Sequence, residues 1–206
     1  MEKTNLKHPI CNIEHIQIFI VSEKSGRNLK SLFISHLTIK VSFMVEIEDI
    51  RSNLKRWFSK AQRVVIAGIG NPFRKDDFIG VQIVRNLKNK TSSSVYLIEA
   101  ETIPESYMQQ IVDFKPTHIL LIDAGIINRS PGTSQLVDIS QLIRKTSIST
   151  HTLPLRIFCD YLSRTTGAKI ALLIIQPEDT SFGEGLTPKL KQTSKTLTNQ
   201  IKDVLP

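Results

Sequence analysis

The sequence predicts an α/β protein, a three-layer sandwich in which a mainly parallel, twisted sheet of about five strands carries helices on both faces. Two observations carry this. The segments VVIAGIG, VYLIEA, HILLIDAG and KIALLIIQP are apolar throughout rather than alternating, as strands covered on both faces are. Between them lie stretches with apolar residues at helical spacing, such as DDFIGVQIVRNLKN and PESYMQQIVDF.

The elements come in order along the chain. Met44 opens MVEIEDIRSNLKRWFSKAQ, where Ile50, Leu54, Trp57 and Phe58 fall at helical spacing, so a domain is expected over 44–206. Residues 1–43 hold a strand-like HIQIFIV and a polar, turn-like SEKSGRNLKS. They are read as an N-terminal extension, poorly ordered or upstream of the true start. VVIAGIG is then a buried strand feeding the helix DDFIGVQIVRNLKN. VYLIEA is the second strand, and PESYMQQIVDF a helix with Pro104 in its first turn. HILLIDAG is the third strand. Pro131-Gly132 marks a turn, and SQLVDIS a further strand. LPLRIFCDYLSRTTG is a helix ending near Gly167, KIALLIIQP a strongly apolar strand, and a terminal helix starts at Pro188.

Composition narrows the class. A chain of 206 residues with 40% hydrophobic and 22% charged residues has an ordinary globular balance and enough length for one sizeable core. The net charge of +8 could attract nucleic acid, anionic lipid or an acidic protein. The basic residues are scattered and not interleaved with aromatics, so neither a nucleic-acid nor a membrane partner is expected. No apolar run reaches membrane-span length and no secretory signal is recognisable, so the expected compartment is the cytoplasm. Cys11 and Cys159 stand in separate segments outside any CxxC, which argues against a disulfide framework or a structural zinc site. Cys159 reads as a small core residue of a helix.

The chemistry concentrates at predicted strand ends. Gly68-Ile69-Gly70-Asn71-Pro72-Phe73 half-matches a dinucleotide fingerprint, but Phe73 stands where a third glycine is needed. Asp76 and Asp77 come next, at a predicted helix start, where they would repel a pyrophosphate. One of the pair is expected to cap the helix, and the second is then available for another task. Asp123 closes the third strand, and His151 lies in the loop ISTHTLPL. Two carboxylates and an imidazole converging on one sheet edge suit a borderline divalent metal such as nickel or zinc. HExxH, GxSxG and recognised Cys/His spacings are absent.

The stretches GIGNPFRKDDFIGV, LLIDAGIINRSPGT, STHTLPL and IIQPEDTSFGEGLTP, in that order over residues 63–206, resemble the nickel–iron hydrogenase maturation endopeptidases. The resemblance implies a phosphorylase/hydrolase-like fold. It implies a cytoplasmic, aspartic-type endopeptidase that removes the C-terminal peptide of a hydrogenase large-subunit precursor after nickel insertion. It also implies that nickel arrives inside the substrate and that the precursor is the partner; a monomer is expected. Matched one at a time, the family's metal-contacting and catalytic positions fall on Asp77, Asp123 and His151, and Asp76 takes the neighbouring, structural position. One departure stands out: where many members have Asp-Gly-Gly, thought to help recognise substrate, this chain has Glu99-Ala100-Glu101. Two alternatives remain open on the sequence. The same three ligands would serve a non-catalytic, nickel-sensing chaperone. The opening strand and GxGNP turn are shared with peptidyl-tRNA hydrolases, although RKDDFIGV replaces the Gly-Tyr loop and Thr-Arg-His-Asn run of that family.

Overall fold

The computed structural model describes residues 49–139 and 153–206. The expectation for residues 1–43 and the placement of His151 lie outside these described residues. The described chain begins with helix α1 (Ile50–Trp57) and strand β1 (Val64–Ile69). A 3-10 turn over Lys75–Phe78 then leads into α2 (Ile79–Leu87). Strand β2 (Val95–Glu101) is followed by a second 3-10 turn, Pro104–Tyr107, and α3 (Met108–Phe114). Strands β3 (His118–Ala124) and β4 (Ser134–Asp138) come next. Helix α4 (Leu153–Thr166), strand β5 (Lys169–Ile175) and helix α5 (Pro188–Lys202) complete the order.

The five strands form one sheet in the order β2-β1-β3-β5-β4. β2, β1, β3 and β5 run parallel, and β4 pairs antiparallel with β5 at the edge. This is the mainly parallel sheet the apolar runs predict, with an antiparallel edge of the kind common in such sheets. Successive residues of each central strand point to opposite faces. Val64 and Ile66 of β1 join Leu120 and Ile122 of β3 in a core with α1, α2 and α5, through Leu54, Ile83, Leu87, Leu190 and Ile201. Val65 and Ala67 join Ile119 and Leu121 in a second core with α3 and α4, through Ile111, Phe158, Cys159 and Leu162. Both faces are therefore covered, which is why the strands carry no polar alternation.

Two expected helix starts differ in detail. DDF and PESY form 3-10 turns ahead of α2 and α3 rather than their first α-helical turns. The cause at DDF is local: Lys75 sits at φ 40, a left-handed conformation that cannot begin an α-helix. Gly167 does end α4, at φ 70, and Thr187 caps α5 by accepting from the Leu190 N–H.

The way α2 meets the sheet positions the strand ends that carry the acidic residues. A Cβ placed on Gly80, in the first turn of α2, would meet the carbonyl oxygen of Ile122 at 2.2 Å and that of Ile69 at 2.4 Å. Helix α2 thus rests directly on the backbones at the ends of β1 and β3. Gly70 sits at φ 141, and a Cβ there would meet the Asp77 carbonyl at 1.8 Å. The glycines that mimic a dinucleotide fingerprint serve close helix–strand packing. Helix-interior Gly→Ala ordinarily favours the helix by ~1 kcal/mol. Gly80→Ala is expected to do the reverse, destabilising by at least about 1–3 kcal/mol because the clash is with backbone that cannot rotate away. Thermal melting checks this; an equal or higher melting temperature would refute the close approach.

Candidate active site

Strand order changes direction at β1. The chain passes from β1 to β2 on one side, then returns to place β3 on the other. In open α/β sheets the crevice at the carboxyl ends of such a pair of strands is the usual ligand site. The structure places Asp77 just beyond the end of β1 and Asp123 near the end of β3, on the two sides of that crevice. Their strands are in register there, Gly68 facing Ile122 one residue before Asp123.

The two carboxylates have different surroundings. Asp77 is half-buried, and its Oδ2 accepts the Asn71 N–H at 2.8 Å. Asn71 in turn accepts the Phe73 N–H through its own side-chain oxygen at 2.9 Å, so the turn after β1 is closed by its own polar groups. Burial pushes the Asp123 carboxyl up to about 7, and the Asp77 charge beside it adds to the effect, against a hydrogen bond from the Ala124 backbone. An aspartate brought near neutrality by burial and a like charge, at a strand end of an open sheet, marks a candidate functional site. His151 lies outside the described residues. Among these the only histidine is His118, which begins β3 at the opposite end of the sheet and is buried beside Trp57 and Phe58. No group of three or more His, Cys, Asp or Glu side chains forms a metal cage among the described residues.

Asp76 turns away from the crevice. It is fully buried, and neither it nor Asp77 caps the turn they stand in, contrary to the expectation that one of them would. Its Oδ2 accepts the N–H groups of Glu178 and Asp179, both at 3.0 Å, and the Thr187 hydroxyl at 3.0 Å. Its Oδ1 accepts the Thr187 N–H at 2.7 Å. One side chain therefore pins both ends of the loop between β5 and α5 beneath the turn that carries Asp77. Lys75 reinforces the join, donating to Asp179 and, at 2.9 Å, to Ser181. Main-chain bonds do the same, Lys75 N–H to Gly183 and Gly183 N–H to Phe73. Sequence reasoning missed this clamp; the one signal for it is the GLTP stretch, whose threonine both caps α5 and meets Asp76.

The other singled-out residues fall into place. Burial works against ionisation of Glu99, but hydrogen bonds from Lys88 and Arg85 outweigh it and hold its carboxyl below the usual range. Glu99 is thereby tied to α2. Glu101 sits exposed at φ 49, and its carbonyl accepts the Gly70 N–H. That left-handed backbone is one a glycine takes at no cost, which accounts for the glycine of the related pattern at this position. Cys159 is buried in the α3–α4 core and its thiol is pushed up to about 12, mainly by burial, so it is no nucleophile. No helix among the described residues is long and apolar enough to cross a membrane.

Comparisons with known proteins agree with this fold. The hydrogenase maturation protease family model matches residues 81–204, more than half of the chain. A Methanocaldococcus jannaschii protein assigned to the hydrogenase maturation proteases is 32% identical over 152 residues, covering 70% of this chain and 89% of that one. The hydrogenase 3 maturation protease of Escherichia coli K12 is 24% identical over 138 residues, covering 67% of this chain and 88% of its own. Among solved structures, the [NiFe] hydrogenase maturation protease HycI from Thermococcus kodakarensis superposes with a TM-score of 0.70 at 34% identity. It covers 75% of this chain and 99% of that one.

Proposed function

The chain belongs to the hydrogenase maturation protease family, and on that premise we propose that it removes the C-terminal peptide of a nickel–iron hydrogenase large-subunit precursor after nickel insertion. Membership decides against the tRNA-hydrolase and non-catalytic alternatives. The observation that carries the finer reading is the pair Asp77 and Asp123, one beyond β1 and one at the end of β3 and close enough for the Asp77 charge to help hold the Asp123 carboxyl near neutrality.

In this reading the nickel is part of the substrate. Asp77 and Asp123 supply oxygen ligands to it and His151 a neutral imidazole, a donor set that suits a borderline divalent ion. Contact with the metal orients the scissile bond, and polarisation of a carbonyl or a water by the metal assists hydrolysis. The precursor is the partner, the protein acts as a monomer in the cytoplasm, and no resident cofactor is required.

The test compares nickel-loaded and nickel-free precursor by intact mass after incubation with the purified protein. Loss of a C-terminal peptide from the loaded form alone is expected. Equal cleavage of both forms would remove nickel from the recognition step, and cleavage of neither would sink the proposal.

A further inference from the structure

Among the described residues six large apolar side chains are exposed: Phe73, Ile103, Ile126, Ile157, Tyr161 and Phe182. Four of them come after four different parallel strands: Ile103 after β2, Phe73 after β1, Ile126 after β3 and Phe182 after β5. Parallel strands end at one edge, so these four share the edge that carries Asp77 and Asp123. The strand order sets Ile103, Phe73 and Ile126 side by side, and the Gly183 N–H bond to the Phe73 carbonyl brings Phe182 next to Phe73.

These side chains stand on fixed backbone. The turn after β1 is joined to the end of β2 by the Gly70 N–H bond to Glu101, and to the loop after β5 by the Gly183 N–H bond to Phe73. The Gly125 N–H, just before Ile126, donates to Ile175. Phe182, 85% exposed, therefore belongs to a loop clamped through Asp76 and Lys75 yet leaves its ring in water. A grouping of large apolar side chains around a site, on held backbone, marks a surface that another molecule covers.

We propose that Phe73, Phe182, Ile103 and Ile126 form a docking rim for an extended apolar segment of the substrate protein, the stretch that carries the scissile bond. This rests on the reading of the protein as a precursor-trimming endopeptidase and adds the chemistry of the segment it takes. The exposed apolar side chains ask for an apolar partner, and charge at the edge disfavours an acidic one. Lys75 is engaged with Asp179 and Ser181, and Arg74 donates to the Thr180 carbonyl. Asp77 and the exposed Glu101 stand at the same edge and would repel an acidic peptide. Apolar side chains on either side of the bond would gain from covering the rings while the crevice receives the bond itself.

The experiment measures binding of nickel-loaded precursor by calorimetry, and cleavage against precursor concentration, for the wild type and for a Phe73→Ser, Phe182→Ser variant. Both rings are exposed, so the variant is expected to melt with the wild type. Losing two rings that become buried on binding should weaken binding and raise KM by roughly tenfold or more, with a smaller change in kcat. A precursor with its apolar residues beside the bond changed to serine should show the same loss on the wild type. The two changes together should cost less than the sum of each alone. Unchanged binding and KM in the variant would overturn the rim. So would a wild-type dimer in sedimentation that the double variant dissolves, because the occupant would then be a second copy. If the wild type cuts no precursor, the functional reading falls, and the binding measurement still decides the rim.

Discussion

Asp123→Asn is expected to abolish cleavage of the nickel-loaded precursor while making the protein more stable at pH 8. The two effects come from one cause. In the folded chain the Asp123 carboxyl is raised from 3.8 to about 7, by burial first and by the charge of Asp77 second. Between those values the folded state binds a proton that the unfolded state has released. The stability contributed by that proton is therefore fully present below about pH 4, falls as pH rises through the interval, and is lost above about pH 7. Asparagine keeps an oxygen to accept from Ala124 and never ionises.

The full shift converts to at most about 4 kcal/mol at 1.36 kcal/mol per pH unit; relaxation and water entry reduce this to roughly 1–3 kcal/mol. For a chain of this length that is a rise of roughly 2–12 °C in melting temperature at pH 8, shrinking towards zero at pH 4. Asp77→Asn should act in the same direction, by removing the neighbouring charge that raises Asp123. Melting of the three proteins across pH 4–8 checks the pattern. A variant as destabilised at pH 8 as at pH 4 would show that the Asp123 carboxylate holds the fold rather than straining it. Strain of this kind is the familiar cost of a site tuned for function.

The sheet was legible because its strands are covered on both faces. Runs such as Ile119 to Ile122 and Ile170 to Ile175 have no polar break, and only a parallel, two-sided sheet accounts for several of them separated by helices. The antiparallel direction of β4 was not legible, since the direction of a short edge strand leaves no mark in composition. Asp77 and Asp123 could be placed at strand ends by pattern alone, and the resemblance singled out Asp77 from the adjacent pair. What separates the two aspartates physically is tertiary. Asp76 meets groups 102 to 111 residues away, and local sequence carries no trace of such partners. The raised proton affinity of Asp123 is likewise a property of burial and of a neighbour 46 residues earlier, not of the segment HILLIDAG.

The adjacent aspartates should accordingly fail in opposite ways. Asp76→Ala removes the acceptor of four hydrogen bonds from a fully buried position, leaving the amides of Glu178, Asp179 and Thr187 without their partner. The donors are only part-buried and Glu178 is exposed, so water takes over some of these bonds, and losing the network costs about 1–3 kcal/mol, or roughly 2–12 °C in melting temperature for a chain of this length. Asp76→Asn does little better, because its amide nitrogen must face a donor at one of the two oxygen positions. Hydrogen exchange should localise the damage to the loop between β5 and α5, including Phe182 and the cap at Thr187. Asp77→Asn retains an acceptor for the Asn71 N–H, so it should keep the loop protected and lose cleavage alone. If Asp76→Ala instead melts with the wild type and its loop amides exchange no faster, the clamp contributes nothing to holding the loop. If it does unfold the loop, precursor binding should fall with it, since Phe182 would no longer stand on fixed backbone at the mouth of the crevice.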